Sequence, residues 1–269
     1  MSRQIRRKPY PTDISDEAWE WIAPLLAQKD GPGRKRTIDI REVVNAIFYL
    51  DKSGCQWEML PHDFPDYRHV NYYYVEWTRS GIWDQVLDRL RELARVAAGK
   101  QIEPSAGVLD TQSVKTTGHG EERGYDAGKN VKGRKRHILV DTLGLLLLVW
   151  VTSATLQDRD GGVQLCDEAH DSYPRLKKIW ADSSYRGELV EYVGYWCRFV
   201  LEIVKGAPDQ RGFQVQPKRW IVERSLAWLT SFRRLSKDYE NTTQSSEAMI
   251  KIANIHWMLR RVTPALYLY

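Results

Sequence analysis

Residues 216–240 read QPKRWIVERSLAWLTSFRRLSKDYE. The spacing predicts one long helix, because Val222, Leu226 and Leu229 recur at i, i+4 and i+7 and make an apolar stripe. Arg219 and Glu223 are four apart and share a face of that helix. Lys218, Arg224, Arg233, Arg234 and Lys237 coat the rest with positive charge. Two readings of Glu223 fit this helix alone. It is either a solvated ion-pair partner of Arg219 or a metal-binding carboxylate beside a groove for phosphates. The second reading needs partner carboxylates held on rigid elements elsewhere.

Two candidates occupy the right kind of place. Asp110 follows Val108-Leu109, Asp182 follows Ile179-Trp180-Ala181, and each precedes small polar residues. That pattern predicts two strand C-termini, where a side chain projects into a cleft from a rigid support. With Glu223 from a helix packed on the sheet, three hard oxygen donors would converge, a set suited to Mg2+ or Mn2+. Such ions activate a nucleophile on one side of a phosphodiester and stabilise the leaving oxygen on the other. Each aspartate also has a local alternative. Asp110 can cap a turn with Thr111 and Ser113, and Asp182 can do so before Ser183 and Ser184. Asp141 is a rival ligand, since it ends the apolar run 138–140, but the Leu143-Gly144 that follows marks a hairpin turn. Asp158 and Asp160 read as N-cap and first-turn acids.

The chain has 40 Lys+Arg against 35 Asp+Glu, and the modest excess is clustered. Residues 1–10 carry Arg3, Arg6, Arg7 and Lys8 without an acid, and residues 128–137 carry Lys129, Lys132, Arg134, Lys135, Arg136 and His137, again without one. Such runs suit a polyanion, most often nucleic acid, or else a solvated basic face. The three cysteines form no CxxC pair and the six histidines no HxxxH pair, which argues for a reducing cytosol and against a disulfide framework or zinc knuckle. Residues 1–11 are basic and polar rather than a signal peptide. The apolar run 143–151 is too short to span a bilayer and reads as a buried strand. A cytoplasmic protein without a membrane partner is expected.

Along the chain, residues 1–12 read as a flexible basic arm. Helices are expected over DEAWEWIAPLLAQ after a cap at Asp13 or Ser15, then over 38–52 up to the breaker Gly54, 69–81 and 82–99. A loop holding Arg34, Lys35 and Arg36 and a Pro-interrupted irregular stretch (55–67) separate them. Residues 1–103 are therefore an all-helical domain with the look of a helix-turn-helix module, or of a plain bundle used for dimerisation. Tyr72, Tyr73 and Tyr74 cannot all face one way, so at least one is exposed. After Pro104 the texture changes. Strands ending at Asp110 and Asp182 alternate with helices, two further strands meet at Leu143-Gly144, and a last amphipathic helix closes the chain. Residues 104–269 read as a mixed α/β (α+β) domain.

The strings WEWIAPLL, REVVNAIFY, GCQWEMLPHDFP and YYYVEW in the helical region resemble transposases of the DDE type, in the insertion-sequence family five group. So do LDTQSVKTT, RGYDAGKNVKGRKRHILVDTLGLLL, QDRDG, IWADSSYRG, RRLSKDYE and SEAMI after it, in the same order, so the likeness covers nearly the whole chain. The resemblance implies a ribonuclease-H-like fold for 104–269 and a helical domain over 1–103 that binds terminal inverted repeats. It makes Asp110, Asp182 and Glu223 the catalytic and metal-binding triad, and Arg219 matches the arginine of the wider superfamily signature. That signature has a tyrosine three before the arginine and a lysine seven after the glutamate. Gln216 and Thr230 stand there instead, so basic contacts from this helix are expected from Lys218, Arg224 or Arg233. Ser183-Ser184 stands where Gly-Gly is expected, and a side chain there is expected to crowd the backbone.

The implied reaction is phosphoryl transfer with Mg2+ or Mn2+ and no covalent enzyme intermediate: water cuts at the element end and the resulting 3′ hydroxyl attacks target DNA. The implied partner is double-stranded DNA, both element ends and target, bound in the bacterial cytoplasm by a homodimer or higher oligomer. Candidate DNA-binding residues are Arg34, Lys35, Arg36, Tyr72, Tyr73, Lys129, Lys132, Arg134, Lys135, Arg136, Lys218, Arg219 and Arg224. Two alternatives are a ribonuclease-H-like nuclease that cuts without joining and a transposase-derived DNA-binding protein without chemistry.

Overall fold

The computed structural model describes residues 7–26, 37–117, 120–204 and 218–262. Four helices open it: α1 Asp16–Leu26, α2 Ile40–Ser53, α3 Tyr67–Arg79 and α4 Ile82–Ala97. Side-chain caps set where three of them begin. Ser15 Oγ accepts the Ala18 N–H at 3.2 Å, Asp39 that of Arg41 at 3.0 Å, and Asp66 that of Arg68 at 2.9 Å. Gly54, at φ 72°, ends α2 and donates its N–H to Leu50 O at 2.8 Å. A Cβ at Gly54 would stand 2.9 Å from Arg233 Cβ, so the glycine also lets a distant segment pack here.

The basic arm is anchored from Arg7 onward, against the expectation of a flexible segment to residue 12. The Arg7 guanidinium pairs with Asp13 at 2.9 Å and Glu42 at 2.7 Å, over the Phe64 ring. Two carboxylates and an aromatic face hold it too well for it to be a free phosphate ligand. Residues 1–6 and the loop with Arg34, Lys35 and Arg36 lie outside the described residues.

The second region is a six-stranded mixed sheet: β1 Ala106–Lys115, β2 Gly124–Asp126, β3 Val131–Asp141, β4 Leu146–Ser153, β5 Lys178–Ala181 and β6 Val200–Ile203. The order is β2-β3-β1-β5-β6, with β4 also on β3. β1, β3 and β4 are antiparallel neighbours, and β1, β5 and β6 run parallel. Helices α5 Asp158–Ser172, α6 Glu188–Tyr192, α7 Arg219–Thr230 and α8 Thr243–Val262 complete the fold. It is a ribonuclease-H-like arrangement of helices on both faces of a mixed sheet. One face packs on α7 and α8, in a core continuous with α1–α4. The other face packs on α5 and α6. Among the described residues no helix is long and apolar enough to cross a membrane.

Three expectations about local structure fail for physical reasons. Asp110 does not end its strand: β1 continues to Lys115, because β3 pairs with it from Gly107↔Asp141 as far as Lys115↔Gly133. Its parallel pairing with β5 stops at Val108↔Trp180, so Asp110 has no partner on β5 although the strand goes on. The helix expected over 216–240 ends at Thr230. The chain then turns through Arg233–Leu235 and runs beside β1, with Asp238 N donating to Lys115 O at 2.8 Å and Thr117 N to Asp238 O at 3.1 Å. Asp158 is the first residue of α5 and Gln157 the N-cap. Asp141 behaves as a turn residue, accepting from Leu143 N at 2.8 Å and Leu145 N at 2.9 Å while pairing with Arg95.

Candidate active site

Strand parity decides which side chains meet. On β1, Val108 faces the core shared with α7 and α8, and Leu109 faces the opposite core. Successive side chains alternate, so Asp110 returns to the α7 side and Thr111 to the α5 side. On β5, Trp180 packs on the α7 side and Ala181 on the other, which puts Asp182 on the α7 side too. Val108 and Trp180 are partners in the parallel register, so the two aspartates, each two residues further on, lie next to each other. Ile221, Val222, Ser225 and Leu229 bury one face of α7 and leave Arg219 and Glu223 only partly buried.

The three carboxylates share one neighbour. Arg219 Nη2 is 3.3 Å from Glu223 Oε1, 3.9 Å from Asp182 Oδ2 and 4.0 Å from Asp110 Oδ2. Each aspartate uses its other oxygen locally. Asp110 Oδ1 accepts the Thr111 N–H at 2.8 Å, and Asp182 Oδ1 accepts the Ser184 N–H at 2.8 Å together with the Ser184 hydroxyl. One oxygen of each aspartate is thus taken by a local amide while the other is turned toward Arg219; Asp182 caps the turn Ser183–Tyr185, whereas Asp110, inside β1, caps none. Ser184, expected to crowd the backbone, instead orients Asp182.

Burial pushes the Asp110 carboxyl up to about 6; the Asp182 charge adds to this, and the Thr111 amide and Arg219 oppose it. Three hard oxygen donors around one positive centre suit Mg2+ or Mn2+ by donor chemistry. They are spread around a guanidinium, and among the described residues no three His, Cys, Asp or Glu side chains form a ready metal cluster.

The family model for the transposase DDE domain matches residues 101–258. The chain belongs to the DDE-domain transposase family. A second model, described as a putative transposase of the IS4/5 family, matches residues 14–87. The chain is 30% identical over 118 residues to the insertion element IS402 uncharacterized 16.2 kDa protein of Burkholderia cepacia, covering 41% of this chain and 78% of that protein. It is 28% identical over 74 residues to the uncharacterized protein y4sN of Sinorhizobium fredii (strain NBRC 101917 / NGR234), 28% of this chain and 59% of that protein.

The basic run of this transposase divides by parity and partner. Arg134 and Arg136 are not available to DNA: they are 0% and 1% exposed. Arg134 Nη1 pairs with Asp238 at 3.2 Å and donates to Glu240 O at 2.9 Å, and its Nη2 donates to Asn241 O at 2.9 Å. Arg136 donates to Leu235 O at 2.9 Å. Both hold the segment after α7 onto the sheet. Lys135, on the opposite face, is buried with Asp158 at 2.7 Å and Leu156 O at 2.7 Å. Lys132 and Lys129 are exposed, although Lys129 Nζ donates to Thr111 O at 3.1 Å. Lys218 is exposed, with Nζ 5.5 Å from the Trp180 ring. Arg224 lies between the Trp220 and Trp228 rings and donates to Leu143 O at 2.8 Å. Tyr72 is 59% exposed, Tyr73 is half-buried against Tyr72 and Trp77, and Tyr74 is buried with its hydroxyl on Ser245 O.

Sequence reasoning missed a polar chain behind the aspartates. Tyr185, Thr111, His137 and Thr152 are linked by buried hydrogen bonds of 2.6, 3.0 and 3.0 Å. The signal was present in strand parity, since Thr111 must face away from Asp110 toward the α5 side, where Tyr185 also lies.

Proposed function

We propose that this transposase binds the terminal inverted repeats of an insertion sequence, cleaves at the element ends and joins the 3′ hydroxyls to target DNA. The observation that carries the reading is the meeting of Asp110, Asp182 and Glu223, from a strand, the turn after a second strand and a helix, within 4.0 Å of one guanidinium nitrogen. In this reading the three acids are the catalytic groups. They would hold Mg2+ or Mn2+, which when bound supplies Lewis acidity at the phosphate and a nucleophile at neutral pH. The chain's own part is positioning. Thr111 N–H and Ser184 fix the two aspartates, and the burial of α7 fixes Glu223.

The helices within residues 1–103 read the repeat and residues 104–269 carry the chemistry. Exposed Tyr72, Lys129, Lys132 and Lys218, with Arg219, hold the duplex, and phosphate contacts of this kind weaken with salt. Two ends joined to one target call for at least a homodimer on DNA.

The test uses a labelled duplex carrying the element's inverted repeat, with Mg2+ and a target plasmid. Wild type should cut and join. Asp182→Ala and Glu223→Ala should bind the duplex and lose both steps by more than about a thousandfold. Cutting without joining would identify a nuclease instead, and binding without cutting in Mg2+ or Mn2+ a DNA-binding protein without chemistry.

A further inference from the structure

We propose that Arg219 is the resident counter-ion of the metal-free triad, and that a divalent cation binding to Asp110, Asp182 and Glu223 must expel its guanidinium. The inference rests on the reading of these acids as a cation site. One nitrogen, Nη2, faces an oxygen from each of the three carboxylates, at 3.3, 3.9 and 4.0 Å. A Mg2+ shell brings its oxygens to about 2.0–2.1 Å. An ion standing where Nη2 stands would be too far from all three oxygens to be ligated as they are, and among the described residues no ready cluster is formed. The carboxylates must close in, and the space they close on is the one that Nη2 fills.

Charge gives the arrangement its purpose. Three carboxylates gathered at the end of a parallel strand pair repel one another unless a cation lies among them. Arg219, one turn before Glu223 on α7, supplies that cation from within the chain. Its guanidinium is on a long side chain, so it can leave without moving the helix. Once released it offers a planar fork to a phosphate oxygen pair at the mouth of the site. Cation loading and the exposure of a phosphate ligand thus become one event.

The test is Mn2+ binding without DNA, by titration calorimetry and thermal melting, on wild type, R219Q, R219K and D110N, with circular dichroism to verify folding. R219Q should bind Mn2+ at least tenfold more tightly than wild type, and its metal-free form should melt lower, with Mn2+ closing the gap. R219K keeps a cation and should stay near wild type. In wild type, the Arg219 Nε–Hε resonance should shift on Mg2+ titration with the midpoint of binding, a readout that needs no variant. Equal or weaker Mn2+ binding in folded R219Q, or a resonance unmoved by saturating Mg2+, overturns the counter-ion role while binding that D110N abolishes preserves the triad reading. No Mn2+ binding in any form, or binding that D110N leaves intact, overturns both.

Discussion

Tyr185 Oη stands 2.6 Å from Thr111 Oγ1, and this bond joins the turn that carries Asp182 to the strand that carries Asp110. Tyr185 is fully buried and ends the short helical turn that Asp182 caps. Thr111 is the neighbour of Asp110 on the opposite face of β1. The pair therefore ties two candidate catalytic carboxylates together from behind, out of reach of solvent and substrate.

Tyr185→Phe keeps the ring packing and removes the tie. Stability should fall by about 1 kcal/mol, the usual net worth of one hydrogen bond. Strand cleavage should fall about tenfold, because small displacements of positioned groups are costly, while affinity for the inverted-repeat duplex stays the same. Single-turnover cleavage beside a binding isotherm separates the two. A variant that lost stability but cut at the wild-type rate would assign the bond to folding alone.

Arg134 and Asp238 form a fully buried ion pair. Taking away one partner strands the other charge, so Arg134→Ala or Asp238→Ala should each cost about 3–5 kcal/mol in urea unfolding. Lys132→Ala, a few residues away but exposed, should change stability by no more than about 0.5 kcal/mol. A surface role for Arg134 would reverse this order.

Burial holds His137 down at about 4 and His256 at about 3, the latter stacked on Phe48 at 4.7 Å and further lowered by Arg260 and Lys52. The unfolded chain takes up these protons near pH 6.5, before the folded protein does. Stability is therefore complete above pH 6.5 and falls as pH drops below it, by about 2 kcal/mol per histidine at pH 5. His256→Gln should make the urea midpoint less sensitive to pH between 7 and 5. An unchanged slope would mean that His256 does not stay neutral in the fold.

Glu247 works in the opposite sense. Burial pushes its carboxyl up to about 7, against the Val151 N–H that it accepts at 2.8 Å. Its folded pKa exceeds the unfolded one, so stability declines as pH rises from about 4.5 through 7. Glu247→Gln keeps an acceptor for Val151 and removes the buried charge. It should raise the melting temperature at pH 8 and leave it nearly unchanged at pH 4. A loss of stability at pH 8 would show that the charge is compensated.

The helical periods of α1–α4 and α8, the cap at Ser15, the breaker Gly54 and the hairpin at Asp141 were all legible in the sequence, whereas the cap at Asp66 emerged only in the structure. Each depends on residues a few positions apart, and local sterics and hydrogen bonds decide them. The candidate triad was legible for a related reason: Asp110 and Asp182 follow apolar runs, and Glu223 lies one helical turn from Arg219. The sequence by itself therefore determined the order of the longer helices and strands, though not the short β2, and the acids worth pairing. Only the tertiary structure decided that β1 runs past Asp110, that α7 stops at Thr230, and that Arg134 and Arg136 are interior. These turn on partners far away along the chain. Arg134 meets Asp238, 104 residues on, and that bond both buries a basic run and draws the chain after α7 onto the sheet. The convergence of three carboxylates on the single Nη2 of Arg219 is of the same kind, because a strand's parity is local but the helix that crosses its end is not.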